Sequence, residues 1–294
     1  MRKLEQKEYP YTFSAKNPPV MRVKPGETIV TSIPDCWNGE VKNEKSRLPL
    51  PQSQALFNPC CGPIYVEGAA KGDQLVVRFL DIKLDSDEGN GVTGLPLDDL
   101  TYTLTKPYDY TVIMCKIKDG KVMFKNGIEV PVTPSVGVVG VAPLYGAIPS
   151  GDAGRHGGNL DVPEIRKGST VYLPVIHEGG LLGLADAHAM DPNGELTAMD
   201  IPATITFSVD LIKGKEINWP RIENEEYIMS VNTNSPIVPS AVNCGISELI
   251  LWLGEHGIDM WKAWEKIALV AEFPISRFNP PVLNAKFPKK YIKT

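Results

Sequence analysis

Thr204-Ile205-Thr206-Phe207-Ser208-Val209-Asp210-Leu211 is the stretch on which the fold class turns. Ile205, Phe207, Val209 and Leu211 alternate with Thr204, Thr206, Ser208 and Asp210, the two-residue period of a strand with one buried face. Working outward, a turn followed by strand-forming residues recurs three times: Pro25-Gly26-Glu27-Thr28-Ile29-Val30, Lys71-Gly72-Asp73-Gln74-Leu75-Val76 and Lys167-Gly168-Ser169-Thr170-Val171-Tyr172. In each, glycine supplies a permissive turn residue and a β-branched or aliphatic run follows. The irregular spacing reads as hairpin-rich β structure rather than a solenoid. Further strands are expected over 110–117 and 122–124. Helical periodicity comes only late, where Val242, Ile246, Leu249, Ile250 and Leu253 recur at three- and four-residue steps before Gly254 and Gly257. A second helix is expected to start at Asp259 as N-cap, with Trp261, Trp264, Ala268 and Ala271 on one side.

The whole chain agrees with a turn-rich β protein. Its 294 residues set a soft prior of about two domains and can bury a full core without staples. With 43% hydrophobic and 22% charged residues, global disorder and coiled coil are excluded. Gly 26 and Pro 26 together make about 18% of the chain against a usual ~12%, which favours tight turns and short strands. A net charge of −5 argues against a nucleic-acid partner, so the two late helices read as a packed hairpin rather than a DNA-reading unit. The first 20 residues have no apolar centre, and the weakly polar run 136–149 is short and broken by Gly and Pro, so neither a signal peptide nor a membrane span is expected. Five cysteines without paired metal spacing read as reduced, buried thiols in a cytoplasmic protein.

Several motifs fail on context. Gly89-Asn90-Gly91-Val92-Thr93-Gly94 matches a dinucleotide fingerprint by letter, but Leu95-Pro96 follows where a helix should open, so a flexible loop is expected. Asp85, Asp87 and Glu88 begin like a calcium loop, yet Pro96 stands where the bidentate glutamate belongs, leaving a solvated acidic loop. Cys60-Cys61 has no histidine nearby in sequence and reads as a structural turn rather than a nucleophile.

One constellation survives. His156, His177 and His188 are three of the four histidines and fall within residues 156–188. His156-Gly157-Gly158-Asn159-Leu160-Asp161 is too glycine-rich for a helix; such a loop lets backbone approach a ligand while His156, Asn159 and Asp161 offer nitrogen and oxygen ligands. In Asp186-Ala187-His188, an extended backbone would place both polar side chains on one face, about 7 Å apart. That suits two ligands of one metal ion, or a carboxylate orienting an imidazole; a hydrogen-bonded surface pair is the bland alternative. Glu195, after the Pro192-Asn193-Gly194 turn, can fold back as a general base.

At these residues the sequence resembles the acetamidase/formamidase family. The matching phrases run in order: Asn58-Pro59, Gly62-Pro63-Ile64-Tyr65-Val66-Glu67-Gly68-Ala69, Gly140-Val141-Ala142-Pro143, His156 to Asp161, Tyr172-Leu173-Pro174-Val175, Gly180-Leu181-Leu182, Asp186-Ala187-His188-Ala189, Gly194-Glu195 and Asn279-Pro280-Pro281. The resemblance implies one domain over 1–294, mainly β, a jelly-roll-like β-sandwich with a β-rich core at 20–215 and an α-helical part at 238–272. It also implies a homodimer that hydrolyses formamide or acetamide to the acid and ammonia with zinc or calcium. Carried over position by position, Asp35, Asp186 and His188 would hold the metal, Asn159 would bind substrate, and Glu195, Asp161 and His156 would be catalytic. The chain departs from the pattern at Asp191-Pro192-Asn193, where relatives commonly read Gln-Gly-Asp, and at Pro202, Glu272 and Arg277, where they commonly carry Glu, Asp and Gln. These departures keep open a different C–N bond as substrate, or a catalytically silent metal- or ligand-binding protein on the same fold.

Overall fold

The computed structural model describes residues 1–47, 57–93, 111–233, 238–278 and 281–293. Gly94, Leu95, Pro96, Tyr110, Asn279 and Pro280, invoked above, lie outside them.

The stretch quoted first forms the strand Ala203–Ile212, with Ala203, Ile205, Phe207 and Val209 buried. The three turn-plus-strand phrases become Thr28–Ile33, Gln74–Leu84 and Thr170–Pro174. Their leading glycines, Gly26, Gly72 and Gly168, have φ of +85°, +91° and +89°, a region that only glycine enters without strain. These four strands are consecutive neighbours in a sheet that continues Arg221–Glu223, Tyr227–Asn232, Pro281–Pro288 and Ile275–Phe278 on one side and Arg2–Leu4 on the other.

A second sheet orders Ala153–Gly154, Gly157–Asn159, Ser135–Gly140, Leu182–His188, Cys61–Val66 and Met21–Val23. The two sheets pack face to face. Ile29, Leu75, Phe79, Val171, Ile205 and Phe207 from the first meet Val23, Ile64, Val136, Val139, Leu182 and Leu184 from the second in one apolar cluster. This is the sandwich, and burial of such side chains at about 25 cal/mol per Å² is its main stabilisation. A smaller sheet, ordered Glu129–Pro131, Lys121–Phe124, Thr111–Lys118 and Glu88–Thr93, carries the glycine motif. That motif is a strand, not a flexible loop: a Cβ on Gly91 would collide with Met199, Ala198 and Thr197, so the close approach requires the glycine. Asp85, Asp87 and Glu88 are exposed, as a solvated acidic turn should be.

Near the C-terminus two helices, Val238–Glu255 and Met260–Val270, cover Ile228, Leu283, Ala285 and Phe287 on the outer side of the first sheet. Asp259 does cap the shorter helix, accepting from the Trp261 and Lys262 amides. The packed face, however, is Ala263 and Ile267; Trp261 and Trp264 share a side that points outward, at 71% and 46% exposure. Periodicity identifies residues that share a side but not which side meets the core. No helix among the described residues is long and apolar enough to cross a membrane.

Candidate active site

The site begins where two neighbouring strands break alternation together. In Leu182–His188, Leu182 and Leu184 face the inter-sheet core, Ala185 faces away, and Ala187 faces the core again. In the antiparallel partner Ser135–Gly140, Val136 and Val139 face the core while Val138 faces away opposite Ala185. The irregularity sits between them, at Gly137 and Asp186. Asp186 is not extended; its φ is +64°, a left-handed conformation that a non-glycine residue adopts at a cost of about 1–3 kcal/mol. Strict alternation would have aimed Asp186 and His188 into the apolar core beside Leu182 and Leu184. The kink turns them outward and together, with His188 Nε2 3.3 Å from Asp186 Oδ1.

Gly137 organises a third ligand. Its carbonyl accepts from the amides of both Leu160 (2.9 Å) and Asp161 (3.1 Å), which brings the Asp161 side chain over the kink. A Cβ on Gly137 would lie 2.5 Å from Asp161 Oδ1, 2.8 Å from His188 Cε1 and 3.0 Å from Asp186 Oδ2. Asp161, Asp186 and His188 each offer a ligand atom within 4.8 Å of the others. The loop after His188 returns beside the strand, with Ala189 donating to Met199 and Ile201 to Ala187. It delivers Asp191 Oδ2 to 3.3 Å from His188 Nδ1 and Asp200 Oδ1 to 3.6 Å from His188 Nε2.

The other expected residues are placed differently from one another. Glu195 pairs in backbone with Arg277 and its amide donates to Ser276. The Arg277 guanidinium donates to the Gly151 carbonyl (2.9 Å) and reaches within 3.6 Å of Asp161 Oδ2. The Asn159 side chain donates to the Gly151 carbonyl at 3.4 Å and keeps a buried Oδ1 without a partner. His156 is buried edge-on to Phe13, with ring centroids 5.3 Å apart, and its Nε2 also lacks a partner. Asp35 is not part of the trio; its Oδ1 accepts from the Trp37 and Gly39 amides and so shapes its own loop. His177 lies outside the cluster, against the Pro143 carbonyl. Cys60 and Cys61 are buried, and burial pushes the Cys61 thiol up to about 11, so neither is a ready nucleophile. Cys36 and Asn90 do not stand out as site residues in the sequence, although Cys36 directly follows Asp35, one of the shared positions.

Electrostatically the pocket holds more acid than it balances. Burial pushes Asp161 up to about 7, against the opposing pull of Arg277. Burial likewise raises Glu195, Asp200 and Asp191, with the Asp161 carboxylate adding to the rise at Glu195 and Asp186 adding to it at Asp200. Burial alone would lower His188, but the Asp186 and Asp191 carboxylates outweigh it and hold the imidazole well above its usual range. His156 has no such neighbour, and burial lowers it to about 4, so it is a neutral imidazole at pH 7. Asp161 Oδ1 and Asp186 Oδ1 are buried without a hydrogen-bond partner, and His188 Nδ1 meets Asp191 Oδ2 as an ion pair at 3.3 Å. Orphaned acceptors in a negative, oxygen- and nitrogen-lined cradle are the signature of a site shaped for something cationic or polar.

The acetamidase/formamidase family profile matches residues 5–152 and 145–247. A formamidase from Methylophilus methylotrophus is 25% identical over 258 residues, 67% of this chain; the chain spans only 62% of that relative's length. An acetamidase from Mycolicibacterium smegmatis is 26% identical over 81% of this chain and 71% of its own. The crystal structure of an acetamidase from Yersinia enterocolitica superposes with a TM-score of 0.88 at 31% identity, covering 98% of this chain and 90% of that one. The profile alone extends over well more than half of the residues, on both sides of the kinked strands: this chain belongs to the acetamidase/formamidase family.

Proposed function

We propose that the chain hydrolyses a short aliphatic primary amide, formamide or acetamide, to the carboxylic acid and ammonia, using a divalent ion held by Asp161, Asp186 and His188. The observation that carries this reading is that trio, its ligand atoms within 4.8 Å of one another and its buried oxygens unpartnered, in a member of this family. The mixed oxygen and nitrogen set fits a divalent ion, and the imidazole favours zinc over calcium. Such an ion supplies Lewis-acid polarisation of the amide carbonyl and makes a nucleophile available at neutral pH.

The chain's own residues do the rest. Asp191 Oδ2, 3.3 Å from His188 Nδ1, fixes the ring so that Nε2 faces Asp186 and Asp200. Glu195 Oε2, buried and unpartnered, takes the proton of the attacking water and returns it to the amide nitrogen as the C–N bond breaks, so that hydroxyl ends on the acyl carbon and ammonia leaves. Arg277 steadies Asp161 from the other side. His156 Nε2 and Asn159 Oδ1 supply uncharged hydrogen-bonding groups for the amide, and Phe13, Val138 and Ala185 give the apolar surface that suits a short acyl group.

The test is ammonia release from formamide and acetamide by purified protein, with and without chelator and with zinc or calcium restored. Chelator-sensitive release is expected; folded, metal-loaded protein that releases none overturns the reading. His188→Ala is expected to abolish release while its circular dichroism spectrum stays native. A different C–N bond is the second reading, favoured by the Arg277 cation beside Asp161, and a panel of amides distinguishes it. Part of the same proposal is a homodimer, supported by the outward face bearing Trp261, Trp264 and Leu269, and a cytoplasmic setting, supported by five cysteines that form no disulfide.

A further inference from the structure

Beside the proposed trio lies a second group that the reaction above does not use. Cys36, Asp186 and Asp200 each present a ligand atom within 4.8 Å of the others, and all three are buried. The Cys36 thiol donates to Asp200 Oδ2 at 3.0 Å, while Asp200 Oδ1 faces His188. Asp186 belongs to both groups. We propose that Cys36 and Asp200 form a second, thiol-containing metal site that shares the Asp186 carboxylate with the first, making a two-metal centre.

Three observations besides the acidic cluster point to a cation there. Asp186, only 5% exposed, has an Oδ1 that makes no hydrogen bond within the protein, with only the His188 Nε2 ion pair at 3.3 Å beside it. Asn90 pairs with Asp200 in both backbone directions, at 2.7 and 3.0 Å, and its side chain, 4% exposed, leaves Oδ1 unpartnered. Asn58, whose amide donates to the Cys36 carbonyl at 2.8 Å, is 1% exposed and has neither end of its side chain satisfied. Buried amide oxygens with unmet hydrogen-bonding capacity are costly, and a nearby cation is one way to satisfy the Asn90 and Asn58 oxygens. The ligand chemistry is also selective. A thiolate with carboxylates suits a borderline-soft ion such as zinc or cobalt(II), not calcium or magnesium. Binding requires the Cys36 thiol to release its proton to solvent, after which sulfur bonds the metal in place of its hydrogen bond to Asp200.

This inference shares Asp186 with the proposed function and rests on it to that extent, so the experiment separates the two. Full-length protein is stripped with chelator, reloaded with cobalt(II), and followed by metal analysis and absorption. Two equivalents per chain and a near-ultraviolet sulfur-to-cobalt charge-transfer band are expected. Cys36→Ser should drop binding to one equivalent and lose the band, while the visible cobalt bands of the first site persist; Cys244→Ser should change neither. If Cys36→Ser does not fold, Asp200→Asn should also halve the stoichiometry. One equivalent in the wild type, with or without a sulfur band, overturns the shared centre. Two equivalents without the band remove Cys36 from it. No binding at all by folded protein overturns the first site as well.

Discussion

The two faces of the sandwich obey different rules. In the large sheet, Ala203–Ile212 keeps buried residues in alternation from Ala203 to Val209 despite a register shift against Gln74–Leu84 at Thr206–Phe207, and its Thr204 hydroxyl pairs with Ser32 at 2.8 Å. In the second sheet, Ser135–Gly140 and Leu182–His188 break alternation at the same point, hold Asp186 at φ +64°, and bury carboxylates around His188. One sheet is optimised for burial. The other accepts strain so that Asp186 and His188, which regular alternation would direct into the core, turn to its outer side and meet Asp161 there.

Glycine-to-alanine substitution at Gly137 tests the functional half of this contrast and has the largest expected effect. The added methyl group would sit 2.5 Å from Asp161 Oδ1 and 2.8 Å from His188 Cε1, so those groups must move. Displacing them by about 1 Å should lower kcat/KM by about 100-fold or more. Retained metal affinity and turnover in Gly137→Ala would show that the cluster is not the reacting centre.

Phe207→Ala tests the other half. Phe207 is fully buried between the sheets, and its truncation should cost about 3–5 kcal/mol by denaturant unfolding. Turnover per folded molecule should stay near wild type, because no site group rests on that side chain. A large fall in kcat at full folding would mean that the two sheets are mechanically coupled more tightly than the contact pattern indicates.

How much of this contrast is legible in sequence follows from the range of the interactions involved. Local alternation and the turn glycines Gly26, Gly72 and Gly168 identify four strands of the large sheet, because each signal lies within its own segment. His156, Asp161, Asp186 and His188 stand out as residue types in short phrases. Their approach depends on a paired irregularity at Gly137 and Asp186, and neither glycine nor aspartate announces a left-handed bulge when read alone. Cys36, Asn90 and Asp200 come from three distant segments and meet only through bridges such as Asn90–Asp200 and His188–Asp200. The outward-facing Trp261 and Trp264 show the converse: apolar periodicity was present, but burial followed Ala263 and Ile267, whose size fits the space.

The strained sheet should also record pH when its metal is removed. Asp161 titrates near 7 when folded and close to 3.9 when unfolded, so the folded state holds the proton more tightly between those values. A raised carboxylate pKa contributes stability that is complete below about pH 4 and is lost as pH rises through about 7. The melting temperature of chelated protein should therefore fall between about pH 4 and about pH 7 more steeply than that of Asp161→Asn. Saturating metal should remove the difference, since the ion replaces the proton. Parallel pH profiles for the two chelated proteins would place the acid sensitivity elsewhere.

The smallest effect sharpens the comparison most directly, because it is the same chemical change made in the regular sheet. Gly72 has φ +91°, and a Cβ there would meet nothing within 4 Å. Gly72→Ala thus probes backbone strain alone, expected at about 1–2 kcal/mol with no loss of kcat/KM. Gly137 is the reverse case: its φ is not left-handed, and its missing side chain makes room for Asp161, Asp186 and His188. If Gly72→Ala lowers stability without touching activity while Gly137→Ala does the opposite, glycine serves two separate purposes in this fold, turning the chain in one sheet and leaving space for ligand atoms in the other. Equal losses of stability with activity intact in both would instead assign Gly137 to packing, and the site would have to be sought away from the kink.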